Sequence, residues 1–147
     1  MADGSTDPND HGLLASPHAS SLGLTAEKIG EGRATISIPY DERLIGDPDT
    51  GVVHGGVLTT MLDNASGIAV RYHPDSDVGA AIATLDLRID YMRGARPGET
   101  LYAEAHCYKR TRNVAFVRGV AYETDRDDPI ATSTAAFMLG TRNTPRP

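Results

Sequence analysis

Residues 51–73 read GVVHGGVLTTMLDNASGIAVRYH and contain the one long helical pattern of the chain. With 100° of rotation per residue, its larger apolar side chains fall on a single face, which is typical of a helix packed on a core. These side chains belong to Val57, Leu58, Met61, Leu62, Ala65, Ile68 and Ala69. His73-Pro74 ends the pattern, because the residue before a proline avoids the helical conformation. We therefore predict one long helix over residues 55–72.

The sequence on both sides of this helix alternates between apolar and polar residues, which predicts strands. One strand is expected before the helix, over residues 33–39, and a short helix at 16–23 precedes it. Residues 41–53, which contain two glycines and a proline, are expected to form a loop. Four strands are expected after the helix, over residues 81–92, 100–110, 114–123 and 130–139. In the first of them, alternation puts Leu85, Leu87 and Tyr91 on one side and Thr84 on the other. Short turns rich in Gly, Pro and Asp separate the four strands. This order predicts the α+β class: one antiparallel sheet with one long helix to cover it.

Composition limits the protein to one ordinary globular domain. The chain has 147 residues, a net charge of −6, 39% hydrophobic residues and 23% charged residues. That length leaves little room for a second domain. Cys107 is the single cysteine, so no intrachain disulfide can form, and no Cys/His cluster has the spacing of metal ligands. We therefore predict no metal site.

The two ends of the chain differ from its centre. Residues 1–15 are rich in Asp, Gly, Ser and Pro, and we expect them to be disordered. The predicted domain covers residues 16–140, and a loose tail covers residues 141–147. The first ten residues are acidic and polar, unlike a signal peptide, and no apolar stretch is long enough for a membrane span. We therefore expect a cytoplasmic protein that binds no membrane.

Charge is unevenly distributed along the sequence. Residues 1–50 carry nine acids against three bases, whereas residues 88–118 carry seven bases against three acids. The bases are Arg88, Arg93, Arg96, Lys109, Arg110, Arg112 and Arg118. Such a local basic zone in an acidic protein suits a small polyanion better than a long nucleic acid. A scatter of solvated surface charges explains the same pattern equally well.

Asp63 is the one charged side chain between residues 55 and 70. The helix face around it is formed by small residues, so that another backbone or a ligand can approach closely: Thr59, Thr60, Ser66 and Gly67. A carboxylate that loses its water needs a polar partner. Asp63 therefore has either a structural hydrogen bond or a chemical task, and the pattern leaves both open.

The start of the helix offers a second chemical element. The free N–H groups of a first helical turn suit negative charge developing on a carbonyl oxygen, and Gly55 and Gly56 leave their backbone open to a substrate. A glycine-rich loop with unusual dihedral angles is the structural alternative. At about 1.5 Å of rise per residue, Gly55 and Asp63 lie roughly 12 Å apart on one helix. That distance is too long for one carbonyl group, so a shared site requires two chains.

Gly51-x-x-His54-Gly55-Gly56, followed by Asp63-Asn64-Ala65, resembles the signature of the PaaI-type hotdog-fold acyl-CoA thioesterases. The similarity extends over residues 21–140. It implies a single hotdog domain, in which an antiparallel sheet wraps around one long central helix, and assembly into homodimers or homotetramers. It also implies an acyl-CoA substrate and no separate cofactor, since coenzyme A is part of the substrate.

The resemblance also implies roles for individual residues. The Gly55 amide would polarise the thioester carbonyl, and Asp63 of the facing protomer would act as general base or as nucleophile. His54 would hold the loop or assist the polarisation, and Thr84 would place the water or the acid. The residues expected to bind substrate, including those that would hold the phosphates of coenzyme A, are Gly56, Asn64, Arg93, Lys109, Arg110 and Arg112.

One departure from the family pattern concerns the second polarising contact. Many members carry an Asn six or seven residues before the histidine, where this chain has Asp47 and Pro48. Asp47 would repel a developing oxyanion unless it faces away or is protonated. Two other functions stay open. A non-catalytic acyl-CoA-binding domain would not need Asp63, and a hotdog hydratase or dehydratase would need a histidine and an acid placed to move protons on the acyl chain.

Overall fold

The computed structural model describes Leu14, residues 16–77 and residues 80–141. Two α-helices and eight β-strands follow one another along these residues. The helices are α1 (Pro17–Leu22) and α2 (Gly55–Arg71). The strands are β1 (Thr25–Gly30), β2 (Arg33–Ile38), β3 (Ile45–Asp47), β4 (Val52–Val53), β5 (Ile82–Tyr91), β6 (Leu101–Arg110), β7 (Val114–Tyr122) and β8 (Ala131–Leu139).

Six strands form one antiparallel sheet in the order β1-β2-β6-β7-β8-β5. Helix α2 packs on one face of this sheet, and the short β3–β4 hairpin leads into the helix. The α+β class and the sheet wrapped around one long helix are therefore confirmed. Strand β5 lies at an edge of the sheet, so one side of it has no strand neighbour in the described chain.

The apolar face of α2 forms the centre of the core. Met61, Leu62, Ala65 and Ile68 are each at most 1% exposed, as the spacing of the helix pattern predicts. Fully burying a side chain such as leucine stabilises a fold by roughly 1.5–3 kcal/mol. The helix ends at Arg71, one residue before its predicted end.

Strand β5 contains a β-bulge that changes which side chains face the helix. The register shifts between Thr84 and Asp86, with Thr84 opposite Phe137 and Leu87 opposite Ala135. Strict alternation would put Leu85 with the core side chains and Thr84 on the opposite face. That prediction is wrong, because the extra residue of the bulge turns Thr84 towards the helix and leaves Leu85 53% exposed.

Two parts of the structure were missed by the sequence patterns. Strand β1 pairs with β2 through another bulge, between Ala26 and Lys28, so its sequence does not alternate. The segment 41–53 was expected to be a loop, but it contains a 3₁₀ turn at Glu42–Leu44 as well as the β3–β4 hairpin.

The predicted disordered segment 1–15 and the predicted tail 141–147 lie outside the described residues, apart from Leu14 and Thr141. Leu14 is 5% exposed and belongs to the hydrophobic core. Of the described helices, none is both long and apolar enough to cross a membrane.

Candidate active site

The first turn of α2 is capped by a histidine side chain. His54 is the N-cap residue, and its Nδ1 accepts the N–H of Gly56 at 2.8 Å. Its carbonyl oxygen accepts the N–H of Val57 at 3.0 Å. A side chain on Gly56 would place its Cβ 2.8 Å from this same Nδ1, so the cap requires glycine there. Among the residues that the structure describes, the Gly55 N–H donates to no backbone or side-chain acceptor.

The β3–β4 hairpin fixes the position of His54. The His54 N–H donates to the Leu44 carbonyl at 2.8 Å, and the backbone of the hairpin passes very close to it. A Cβ on Gly46 would lie 2.7 Å from the His54 Cα, closer than such atoms can approach. Gly46 therefore allows the hairpin to hold the helix start in place through backbone contacts.

Asp63 lies on the half-buried side of α2, where Thr84 of β5 reaches it. The Thr84 hydroxyl donates to Asp63 Oδ1 at 2.9 Å. The structure thus joins these two predicted site residues, and the β5 bulge makes the contact available. Asp63 and Gly55 are eight residues apart on one continuous helix, so they form two separate clusters within one chain.

Tyr91, the last residue of β5, contacts the start of α2, and the sequence patterns missed this contact. Its hydroxyl donates to the Gly55 carbonyl at 3.2 Å and lies 2.5 Å from the Thr59 hydroxyl. Its ring carbon Cε1 lies 3.3 Å from the place that a Gly55 Cβ would occupy. The ring is nevertheless 52% exposed. The alternation of β5 predicted the face of Tyr91, but a contact across 36 residues leaves no trace in the sequence.

Asp47, which stands where the resemblance led us to expect Asn, has its carboxylate held in the β3–β4 turn. It accepts the Asp49 N–H at 3.0 Å and the Thr50 hydroxyl at 2.8 Å. The hydrogen bond from Thr50 lowers the pKa of this exposed carboxyl group, with a further contribution from the Asp49 N–H. Asp47 is therefore charged at neutral pH, and its contacts lie within its own turn.

Asn64 directs its side-chain amide back along the helix. Its Nδ2 donates to the Thr60 carbonyl at 2.8 Å, so one of its two amide hydrogens is already bonded. A substrate-binding role for Asn64 stays a prediction.

Arg93 takes part in a network of ion pairs around a buried acid. Its guanidinium donates to both oxygens of Glu123, at 2.9 and 2.5 Å, and to Asp128 Oδ1 at 3.3 Å. Glu123 also accepts the backbone N–H of Arg96 at 2.7 Å. The hydrogen bonds to Glu123 raise the pKa of Arg93 well above its usual range. A phosphate would have to compete with these partners, so this role for Arg93 stays a prediction.

The other predicted phosphate-binding residues lie at the opposite end of the sheet. Lys109 and Arg110 lie at the end of β6, opposite the beginning of β7, and Arg112 is in the connection between them. Arg93 lies near the far end of β7, because its N–H donates to the Ile130 carbonyl and the Ile130 N–H donates to the carbonyl of Ala121, near the end of that strand. Nine residues of strand separate the two ends by roughly 25 Å. The predicted phosphate-binding residues therefore form two groups in space.

Each basic group lies near a different half of the predicted site. Thr84 is opposite Phe137, and Phe137 is opposite Ala115 in β7, so the Asp63–Thr84 cluster lies towards Lys109 and Arg110. The cluster of Gly55 and Tyr91 lies towards Arg93.

A cavity of about 280 Å³ opens beside the helix start. It brings together residues of α1, the 3₁₀ turn, β3 and the first two turns of α2. Its lining residues are His18, Leu22, Arg43, Leu44, Ile45, His54, Gly56, Val57 and Thr60. Leu22, Leu44, Ile45 and Val57 contribute apolar side chains to this lining, and Arg43, which is paired with Asp41, contributes a cation.

Comparison with known proteins shows which family shares this arrangement. A family model described as "Thioesterase superfamily" matches residues 50–130. A Pseudomonas aeruginosa protein of known crystal structure is 45% identical, with a TM-score of 0.72 over 86% of this chain and 92% of the other.

Two curated relatives extend the comparison. The medium/long-chain acyl-CoA thioesterase YigI of Escherichia coli is 27% identical over 135 residues, which cover 84% of this chain and 86% of YigI. A Halobacterium salinarum protein named as a candidate esterase is 43% identical over 89 residues. That alignment covers 60% of this chain but only 56% of the haloarchaeal protein.

Proposed function

The chain belongs to the thioesterase superfamily, and from this premise we propose that it hydrolyses an acyl-CoA thioester to a free acid and coenzyme A. The family model agrees with the thioesterase resemblance that the His54-Gly55-Gly56 and Asp63 signature indicated. The observation that carries the proposal is the Asp63 carboxylate, which is bonded to Thr84 and is the one charged side chain between residues 55 and 70. Such an isolated acid on a packed helix suits proton transfer or nucleophilic attack.

The proposed reaction divides the work between two clusters. The Gly55 N–H of one chain donates to the thioester oxygen and stabilises the negative charge that develops there. Asp63 of the facing chain takes a proton from water as the water attacks the carbonyl carbon, and then returns this proton to the departing thiolate. Direct attack by Asp63, through a mixed anhydride that water then hydrolyses, gives the same products. The hydrogen bond from Thr84 orients the carboxylate in both routes.

The separation of the clusters supports a site between two chains. Gly55 and Asp63 are roughly 12 Å apart along one helix, and one carbonyl cannot contact both. A second chain running the opposite way would bring its Asp63 to the Gly55 of the first. The exposed apolar side chains near β5 offer a surface for such a partner. They belong to Leu85, Tyr91 and Met92, which are 53%, 52% and 56% exposed. We therefore propose a homodimer or homotetramer.

The same arrangement gives the basic residues a use. With antiparallel chains, the Arg93 end of one protomer would lie beside the Lys109 and Arg110 end of the other. Both groups would then border one site, although they are far apart within a chain. We propose that exposed bases from these groups, among them Lys109 and Arg112, hold phosphates of coenzyme A. The proposal includes a cytoplasmic location and no cofactor beyond the substrate.

A panel of acyl-CoA thioesters from acetyl to long-chain and aryl groups tests the activity. Wild type is expected to release free thiol from at least one of them. Asp63→Asn keeps the size of the side chain and an oxygen for Thr84 to donate to, and it is expected to abolish release while the oligomer persists by light scattering. Asp86→Asn, an exposed acid on the opposite face of β5, is the matched control and should be fully active.

The alternatives predict different outcomes. A wild-type protein that binds acyl-CoA in calorimetry without releasing thiol would be a non-catalytic binding domain. Full activity in Asp63→Asn would refute the mechanism and leave the family membership intact.

A further inference from the structure

We propose that Tyr91 is a positioning residue, which acts through the Gly55–Gly56 peptide to hold the His54 side chain as a second hydrogen-bond donor to the substrate carbonyl. This inference rests on the proposed function, since it assigns a task within the same site. It concerns a chain of three hydrogen-bonding groups, of which Tyr91 is the first, the peptide the second and the His54 imidazole the third.

The Gly55–Gly56 peptide is held at both of its polar ends. Its carbonyl oxygen is within hydrogen-bond distance of the Tyr91 hydroxyl at 3.2 Å and of the Thr59 hydroxyl at 3.3 Å, and the two hydroxyls lie 2.5 Å apart. Its N–H, which belongs to Gly56, donates to His54 Nδ1 at 2.8 Å. A peptide bonded at both ends cannot rotate freely, and successive hydrogen bonds polarise one another. The Tyr91 hydroxyl thus strengthens the bond that orients the imidazole.

This bond determines where the histidine carries its proton. A nitrogen that accepts a hydrogen bond from an amide has no proton of its own, so a neutral imidazole here carries its hydrogen on Nε2. The His54 side chain is exposed and borders the cavity at the helix start together with Gly56. The Nε2–H is therefore available to a ligand, whereas Nδ1 is occupied and cannot serve as a base.

The resemblance led us to expect an Asn as the second donor to the substrate carbonyl, and this chain has no Asn at that position. Asp47 stands there instead, and its negative carboxylate is bonded within its own turn. The Gly55 N–H and the His54 Nε2–H would together supply two donors, the usual number for an oxyanion hole.

Tyr91 is 52% exposed in a single chain, so its ring is free to pack against the proposed partner chain. Its hydroxyl, by contrast, is bonded at the helix start to Gly55 and Thr59. Packing of the ring does not require these hydrogen bonds of the hydroxyl, which point to the orientation of the helix start as the task of Tyr91.

Tyr91→Phe removes the hydroxyl and keeps the ring, so it separates the two roles. We expect kcat for thiol release to fall about tenfold, with KM, melting temperature and oligomeric state close to wild type. Tyr108→Phe is the matched control, because Tyr108 is 44% exposed and its ring lies against Arg118, away from the helix start. An unchanged kcat in Tyr91→Phe would overturn the proposal.

A double variant tests whether Tyr91 acts through the histidine. His54→Gln removes the imidazole, and we expect it to lower kcat on the order of 10²-fold. Adding Tyr91→Phe to it should then cause no further loss, because the two residues act in one chain. Multiplied losses in the double variant would contradict this order of action.

Nitrogen-15 NMR of histidine-labelled protein detects the tautomer of His54 and does not depend on enzyme turnover. The His54 signals, assigned by their loss in His54→Gln, should show the Nε2–H tautomer in wild type and a mixture of tautomers in Tyr91→Phe. An Nδ1–H tautomer in wild type would refute the inference, even if the enzyme is active. Conversely, an inactive wild type with the expected tautomer would refute the proposed function alone.

Discussion

Replacing Gly55 by proline removes the proposed oxyanion donor and little else. Gly55 is the first residue of α2, the helical position at which proline is best tolerated, because its N–H bonds to no helical carbonyl. The preceding residue, His54, has φ −58° and ψ 133°, which is the extended conformation that a following proline requires. The helix and its histidine cap should therefore persist in Gly55→Pro.

The expected loss follows from the removal of one donor in an oxyanion hole. Such a loss lowers kcat by about 10²–10³-fold, which corresponds to roughly 2.7–4 kcal/mol of transition-state stabilisation. Gly55→Ala is the matched control, because it adds a Cβ at the same place and keeps the N–H. That Cβ would lie 3.3 Å from Tyr91 Cε1, so the half-exposed ring has to move by only a small distance. We expect the alanine variant to lose less than about tenfold.

Thiol release from the best acyl-CoA substrate gives kcat and KM for both variants, and circular dichroism checks that the helix is intact. The difference between the proline and alanine variants isolates the amide hydrogen from the added carbon atoms. Equal kcat values in the two variants would refute the assignment of Gly55 as the polarising donor.

Three further perturbations test the acid cluster, the ion-pair network and the core. Thr84→Val removes the hydroxyl donated to the catalytic carboxylate, and should lower kcat about tenfold without changing the melting temperature. Glu123→Gln leaves the Arg93 guanidinium without its buried partner, and should cost about 3 kcal/mol in urea unfolding at pH 7. Burial raises the pKa of Glu123, but the hydrogen bonds from Arg93 outweigh it and hold the pKa below 4.5. The pair therefore stabilises wild type above that pH, this stability is lost as pH falls through the lowered pKa, and the variant should show a flatter acid profile. Gly119→Ala would place a Cβ too close to Ser133 Oγ, and should lower the free energy of unfolding by about 1–3 kcal/mol.

The long helix and the four later strands could be predicted because their periodic patterns are strong and local. The end of α2 is within one residue of its prediction. Each end of strands β5 to β8 also lies within one residue of its predicted position. Strand β1 could not be found in this way, since its bulge breaks the alternation on which the prediction depends. The same kind of irregularity in β5 reversed the expected side of Leu85.

The candidate site was predictable only in part. Asp63 and Gly55 stand out in the sequence because each departs from an ordinary amphipathic helix, one by its charge and the other by its missing side chain. Partners that come from distant segments leave no such signal. Glu123 lies thirty residues from Arg93, so the sequence suggested a free base where the structure has an ion pair. The Tyr91 contact with the helix start depends in the same way on tertiary folding.

Subunit mixing tests the two-chain site most directly. Gly55→Pro and Asp63→Asn are each expected to be inactive alone, and the two are unfolded together and refolded at equal amounts. If each site takes Gly55 from one chain and Asp63 from the other, half of the dimers are mixed and each has one intact site. The mixture should then recover roughly one quarter of wild-type activity. If each site lies within one chain, no intact site can form, and a mixture that stays inactive while mixed dimers are detected by mass spectrometry would contradict the account.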